Sequence, residues 1–301
     1  MRIMNLSEFK RLYRKKLDRF ETHLKKSFPS MPKQVSVLER STGYSLFAGG
    51  KRIRPILLLS VVDAADRDSA FAMPFACAIE YLHTYSLIHD DLPCMDDDSL
   101  RRGLPTNHVK FGEAIALLAG DALLTHSFYL IGSVRDPNVS ADSIREIVKI
   151  LAGKAGLYGM ISGQVADVVG LDALPPQEAL QFIHSNKTGA LITASVQIGA
   201  ILAGVDGKVF EALTGFGEEI GRCFQIRDDI LDEIGSEKDL GKTPGTDKKN
   251  RTLTYPSIYG LEKSKQLAEE SYQKAIRHLE QSRLDMDFLL QLANFIANRT
   301  S

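Results

Sequence analysis

Residues 111–131 read FGEAIALLAGDALLTHSFYLI. Ala and Leu dominate, the apolar positions recur at helical spacing, and no period-two alternation runs through them, so the stretch predicts a long, largely buried helix. Residues 189–204, GALITASVQIGAILAG, and residues 209–231 read the same way. Alternating runs rich in Val, Ile and Thr are hard to find, no hairpin signal such as Asn-Gly occurs, and repeated βα punctuation is missing, which argues against a parallel sheet. Breakers at Pro29 and Pro32, Gly49 and Gly50, Pro74, Pro105, Pro137, and Pro175 with Pro176 divide the chain into about ten to thirteen helices. With no linker, repeat or low-complexity tract, residues 1–301 read as one all-α domain.

The 301 residues are 44% hydrophobic and 25% charged, the balance of a soluble globular protein. With 37 basic and 38 acidic side chains the net charge is −1, which excludes nucleic-acid binding through bulk charge and leaves any anion site to local clusters. Cys77, Cys94 and Cys223 lie far apart and form no CxxC pair; they read as reduced thiols of a cytoplasmic protein. No apolar run is read as reaching the roughly 18 residues of a membrane span. The early basic residues, Lys10 to Arg19, lack an apolar signal core. They share an amphipathic first helix with Leu6, Phe9, Leu12, Tyr13, Lys16 and Phe20.

Two acidic clusters interrupt this apolar background: DDLPCMDDD at 90–98 and DDILD at 228–232. In the second, Asp228 and Asp232 share a helix face, while Asp229 points about 100° away. Like charges at this spacing destabilise a bare helix, so the run suggests a compensating cation. Hard oxygen donors with no neighbouring thiolate in the second cluster favour magnesium or manganese over zinc. In the first cluster a straight helix would separate Asp90 from Asp96, but Pro93 lies between them and should end or distort it, letting Asp96 swing back beside Asp90. A single acidic cluster is equally well a solvated helix end. Two of them, each preceded by an apolar helix, predict a multi-metal site and therefore a diphosphate substrate, because Mg²⁺ commonly binds through one or two carboxylates plus substrate phosphates.

Basic fragments complement them. GGKRIRP at 49–55 sets Lys51, Arg52 and Arg54 behind two glycines that permit close backbone approach. In LRRG at 100–103, Arg101 and Arg102 either neutralise Asp97 and Asp98 or bind phosphate oxygens. Lys187 lies in NKTG, which breaks a helical pattern. Residues 233–252, EIGSEKDLGKTPGTDKKNRT, form a polar loop of the length that functional lids have, and they carry Lys242, Lys248, Lys249 and Arg251.

In order along the chain, GGKRIRP, EYLHTYSLIHDDLPCMDDDSLRRG, GQVAD, NKTGAL, FQIRDDILD and LGKTPGTD resemble the motifs of the trans-isoprenyl diphosphate synthases, most closely the bacterial-type farnesyl diphosphate synthases. The resemblance runs from Leu38 to Tyr259. It implies helices around a deep central cavity, a homodimer, and three Mg²⁺ per active site, with Mn²⁺ a possible substitute. By the same resemblance Asp90, Asp91 and Asp96 form the first metal motif and Asp228, Asp229 and Asp232 the second. Arg101, Lys187 and Lys242 match contacts of the allylic diphosphate (dimethylallyl or geranyl diphosphate). Lys51, Arg54, His83 and Arg102 match the isopentenyl diphosphate site, and Thr188 and Gln225 match polar groups near the allylic cation. Gln164 and Asp167 are expected behind these rather than among them. KKNRTLTYP departs from the family pattern, leaving Lys248, Lys249 and Arg251 as alternatives for one lid contact.

The implied reaction is a head-to-tail condensation. The carbon–oxygen bond of the allylic diphosphate ionises under metal and cationic groups, isopentenyl diphosphate attacks, and a proton leaves to the released diphosphate. Tyr85 lies five residues before Asp90, about 7.5 Å down the helix. An aromatic side chain there is expected to stop growth at fifteen carbons, with ten- and twenty-carbon products as alternatives. A terpene cyclase is disfavoured because DDILD stands with GGKRIRP, and an inactive partner subunit because both aspartate clusters are intact.

Overall fold

A computed structural model describes residues 4–234 and 253–299. The first four helices are α1 (Leu6–Ser27), α2 (Ser36–Leu46), α3 (Ile53–Ala64) and α4 (Met73–Asp90). After them come α5 (Asn107–Phe111), α6 (Glu113–Gly132), α7 (Ala141–Ala155), α8 (Met160–Val169) and α9 (Pro176–His184). A π-helical turn (Ser185–Gly189) joins α9 to α10 (Ala190–Ala203), which precedes α11 (Gly207–Ile234). The described chain then forms α12 (Tyr255–Tyr259), α13 (Leu261–Ser282) and α14 (Asp287–Ala297). With the five-residue α5 and α12 set aside, twelve longer helices remain among the described residues, within the number that the breakers predict.

The helices form where the apolar pattern places them. The Asn5 side chain caps α1 by accepting from the Glu8 amide at 3.0 Å. That helix buries Phe9, Phe20 and Leu24 and leaves most of its basic residues exposed, although Leu6 also faces outward. α3 is apolar on nearly every face and buries every residue except Asp63, so it must be surrounded. Its Leu58, Leu59 and Val62 pack into a core shared with α4, α6 and α7. Its Ile56, Leu57 and Val61 pack into a second core with α10, α11, α13 and α14. A smaller cluster of Leu180, Ile226, Ile230, Tyr255 and Ala268 joins α9, α11, α12 and α13.

Arg52 ties the entry of α3 to its neighbours. The chain reaches it through Gly49 and Gly50 at positive φ, and Arg52 itself has φ +50°. Its wholly buried guanidinium contacts Glu80 at 2.6 Å and Glu21 at 2.8 Å and donates to the Leu46 carbonyl at 2.7 Å. One side chain thus clamps α1, α2, α3 and α4, which is why Arg52 is structural while its neighbours Lys51 and Arg54 are not committed to such a triad.

Two sequence expectations are corrected. A hairpin is present: Leu100–Arg101 and Leu104–Pro105 pair antiparallel, joined by Arg102 at φ +55° and Gly103 at φ +75°. Positive φ at both turn positions is the geometry of a tight hairpin turn, usually signalled by Asn-Gly; Arg-Gly carries the same shape without that signature. In addition, α6 is long and apolar enough to cross a membrane by length and composition. Its Ala116, Ala119, Leu123 and Ile131 pack into the first core, while Leu117, Leu118 and Tyr129 stay exposed.

Replacing Arg52 by Met would leave Glu80 buried and unpaired, at a cost of about 3–5 kcal/mol. Chemical denaturation is expected to show that loss, and a much smaller one when Glu80→Leu is added. An unaltered midpoint for Arg52→Met alone would refute the clamp.

Candidate active site

α4 ends at Asp90, and the chain folds back just beyond it. The Asp96 amide donates to the Asp90 carbonyl at 2.9 Å, and the Asp97 amide to the Leu92 carbonyl at 3.2 Å. Asp97 takes φ +53° to close this loop. The break at Pro93 therefore brings Asp96 beside Asp90, as the proline predicts.

Burial sets the charge state of this cluster. It pushes the Asp90 carboxyl up to about 6; Lys187 opposes that rise, and Asp96 and Asp91 add to it. Burial likewise raises Asp91, against the pull of Arg101, and Asp96, against the pull of Lys187. Arg101 lies 2.6 Å from Asp91 and 3.3 Å from Asp98. Burial opposes its charge, but Asp91, Asp98 and Asp90 outweigh that and raise it. The neutralising partners of Arg101 are thus Asp91 and Asp98, not Asp97. Arg102 turns away and donates to the Gly49 carbonyl, with its guanidinium against the face of Gly50 where a Cβ would crowd it.

Lys187 and Thr188 sit on the π-helical turn. Lys187 pairs with Asp167 at 2.7 Å, and burial costs its charge less than Asp167, Asp90 and Asp96 return. The turn can reach these acids because α8 packs backbone to backbone against it: a Cβ on Gly163 would overlap the Lys187 amide nitrogen. Near the other acidic cluster, His184 lies 3.8 Å from Asp229. Its burial, opposed by Asp167 and reinforced by Lys187, pushes it down to about 4, so it is neutral at pH 7.

On α11, Asp229 and Asp232 are buried, and the Asp228 side chain is 45% exposed. Asp229 accepts from the Gln225 side chain at 2.8 Å and from the Tyr255 amide at 2.9 Å. Lys51 is lowered by burial and by Arg299, while Asp228 raises it. Burial brings Arg54 down to about 10 against the pull of Glu80 and Asp228. Arg102 is lowered chiefly by burial. His83 is held well below its ordinary value by burial and by the nearby Arg54 and Arg102. These four groups therefore act on one another or on the second acidic cluster. Lys242, Lys248, Lys249 and Arg251, with most of the lid at 233–252, lie outside the described residues.

A cavity of about 510 Å³ opens beside Asp90 and Lys187 and runs between Tyr85, Ser86, Leu124, Met160 and Val165. Tyr85 is buried in its wall, and its hydroxyl has no hydrogen-bond partner among the described residues. Gln164, expected behind the site, lines the same cavity. Asp167 stands behind Lys187, as expected, whereas Arg299 is a site neighbour that motif reading did not place; the partner of each lies 20 or more residues away in sequence.

The donors are of the kind a hard divalent cation takes: all six aspartates offer oxygen, and burial keeps the Asp90 carboxyl raised despite Lys187 and Arg101. Among the described residues no three acidic, His or Cys groups already form a cage.

A carboxyl raised by folding binds more protons in the folded state, so Asp90 makes stability fall as pH climbs from its unfolded pKa of 3.8 through about 6. In metal-free protein, Asp90→Asn is expected to raise Tm at pH 7.5 by roughly 2–4 °C and to have little effect at pH 4. Thermal scans at both pH values check this; an equal shift at each would contradict it.

The polyprenyl synthetase family profile matches residues 35–292. The farnesyl diphosphate synthase of Geobacillus stearothermophilus is 45% identical over 87% of this chain and 88% of that protein. That of Bacillus subtilis (strain 168) is 48% identical with the same coverage. Large subunit 1 of the heterodimeric geranylgeranyl pyrophosphate synthase of Arabidopsis thaliana is 48% identical over 85% of this chain and 70% of that protein. Among solved structures, the geranyltransferase of Helicobacter pylori, complexed with magnesium and isoprenyl diphosphate, superposes with a TM-score of 0.84 at 34% identity, covering 99% and 98% of the two chains.

Proposed function

The chain belongs to the polyprenyl synthetase family and is a prenyltransferase, and from that premise we propose that it makes farnesyl diphosphate by adding isopentenyl diphosphate to dimethylallyl and then geranyl diphosphate. The observation that carries this reading is Tyr85, buried in the wall of the apolar cavity that starts at Asp90 and Lys187. An allylic diphosphate held at that end points its hydrocarbon tail at the Tyr85 ring.

The chain's own groups divide the work. Arg101 and Lys187, with Lys242, hold the allylic diphosphate. Lys51, Arg54 and Arg102, with neutral His83 as a hydrogen-bonding group, hold isopentenyl diphosphate. Thr188 and Gln225 flank the carbon that becomes cationic. Apolar walls exclude water that would trap that cation. Asp90, Asp91, Asp96, Asp228, Asp229 and Asp232 would hold magnesium, three ions by family likeness with manganese a substitute, and the metal supplies Lewis-acid withdrawal of charge from the leaving diphosphate.

We read residues 1–301 as one catalytic domain that works in the cytoplasm as a homodimer. The exposed apolar side chains Leu117, Leu118 and Tyr129 on α6 support a second copy as the cover of that helix. Arabidopsis large subunit 1, named for a twenty-carbon synthase, keeps geranylgeranyl diphosphate as the second reading of the product.

Product analysis of the purified protein with magnesium and isopentenyl diphosphate tests the assignment. Farnesyl diphosphate is expected from both the dimethylallyl and the geranyl primer, and Tyr85→Ala is expected to extend the product to twenty carbons or more. A twenty-carbon product from the wild type would retain the reaction and dismiss Tyr85 as the floor.

A further inference from the structure

Arg299 follows α14, outside every motif that the sequence singles out, yet its side chain is only 6% exposed. Its guanidinium is ion-paired with Asp228, donates to the Phe224 carbonyl at 2.8 Å, and lies 3.8 Å from the centre of the Phe224 ring. Phe224 and Asp228 are one helical turn apart on α11, so backbone, ring and carboxylate together make a fitted seat for a planar cation. Asp228 is also the most exposed member of the second acidic cluster.

We propose that Arg299 is the resident counter-cation of Asp228 and that a divalent metal ion must displace it, so that metal loading and release of the segment after α14 are one coupled event. This rests on the reading of Asp228 as a metal ligand. The physical reason is exclusion. A carboxylate that coordinates a divalent ion attracts a guanidinium less strongly, and the two cations repel at this range. Lys51 and Arg54 already feel both Arg299 and Asp228, so neutralising Asp228 also removes what balances Arg299 against them. By linkage, whatever holds Arg299 in its seat weakens the metal, and the metal weakens the seat by the same factor. Arg299 is therefore a positioning residue that acts through Asp228.

The test is a titration of the full-length, substrate-free protein with Mn²⁺, following free aquo-Mn²⁺ by electron paramagnetic resonance. Arg299→Gln is expected to bind Mn²⁺ about fivefold more tightly than wild type, a difference of about 1 kcal/mol, while Arg299→Lys stays near wild type. In an Asp228→Asn background the gain from Arg299→Gln is expected to vanish. Hydrogen–deuterium exchange of unmodified protein provides the second measurement: residues 287–299 are expected to exchange faster when Mn²⁺ is added. If Asp228→Asn weakens Mn²⁺ binding but Arg299→Gln does not strengthen it, the displacement idea fails and the metal site survives. Should Asp228→Asn leave Mn²⁺ binding unaltered, the metal reading of the second cluster fails and this inference goes with it. If Arg299→Gln does not fold, exchange in the wild type decides, and unaltered exchange on metal addition overturns the proposal.

Discussion

Carboxylates drawn away from water beside an apolar cavity, and the cations set against them, govern the rest of this molecule. A charge taken out of water must be paired, neutralised by a proton, or met by a ligand. The protein uses the first two. Asp91 is paired with Arg101, Asp167 with Lys187 and Asp228 with Arg299. Asp90 is pushed toward protonation. What remains is a demand for positive charge that magnesium can meet, and the diphosphate substrates bring the phosphate oxygens that complete its shell.

Around that demand the apolar helices act as a rigid frame. α3, wrapped on nearly all sides, fixes α4 and so the place where Asp90 emerges. The π-helical turn between α9 and α10 aims Lys187 back at α4, and it does so only because Gly163 has no side chain. The same frame leaves the tail of the substrate an oily channel beside a strongly charged mouth.

Much of this was legible in the residues. The helical period of 111–131 and 189–204 revealed the fold class because an apolar face recurring over several turns has few other uses. The fold-back at Pro93 followed from the missing amide hydrogen and the fixed φ of proline. GGKRIRP reads as an anion-binding turn from its own glycines and cations, whereas only the family motifs single out Lys187, which spacing alone leaves as exposed charge. Other features stayed hidden for a common reason: they are pairings between distant positions. Nothing local to NKTG names Asp167 as the partner of Lys187, and nothing local to Arg299 points to Asp228. The hairpin at 100–105 was missed differently, since two-residue strands are too short to show alternation and Arg-Gly is an uncommon spelling of a tight turn.

That hairpin has a consequence for how this chain can vary. Its two consecutive arginines are divided between opposite neighbours: Arg101 goes to Asp91 and Asp98, and Arg102 to the backbone at Gly49. The division is made by register alone, because neighbouring positions along an extended strand and its turn face different ways. Inserting or deleting one residue between Leu100 and Pro105 would shift the arginines against the strand pairing and disturb both addresses. The segment is therefore a point where the length of the chain, and not only the identity of its residues, sets which neighbour each arginine meets.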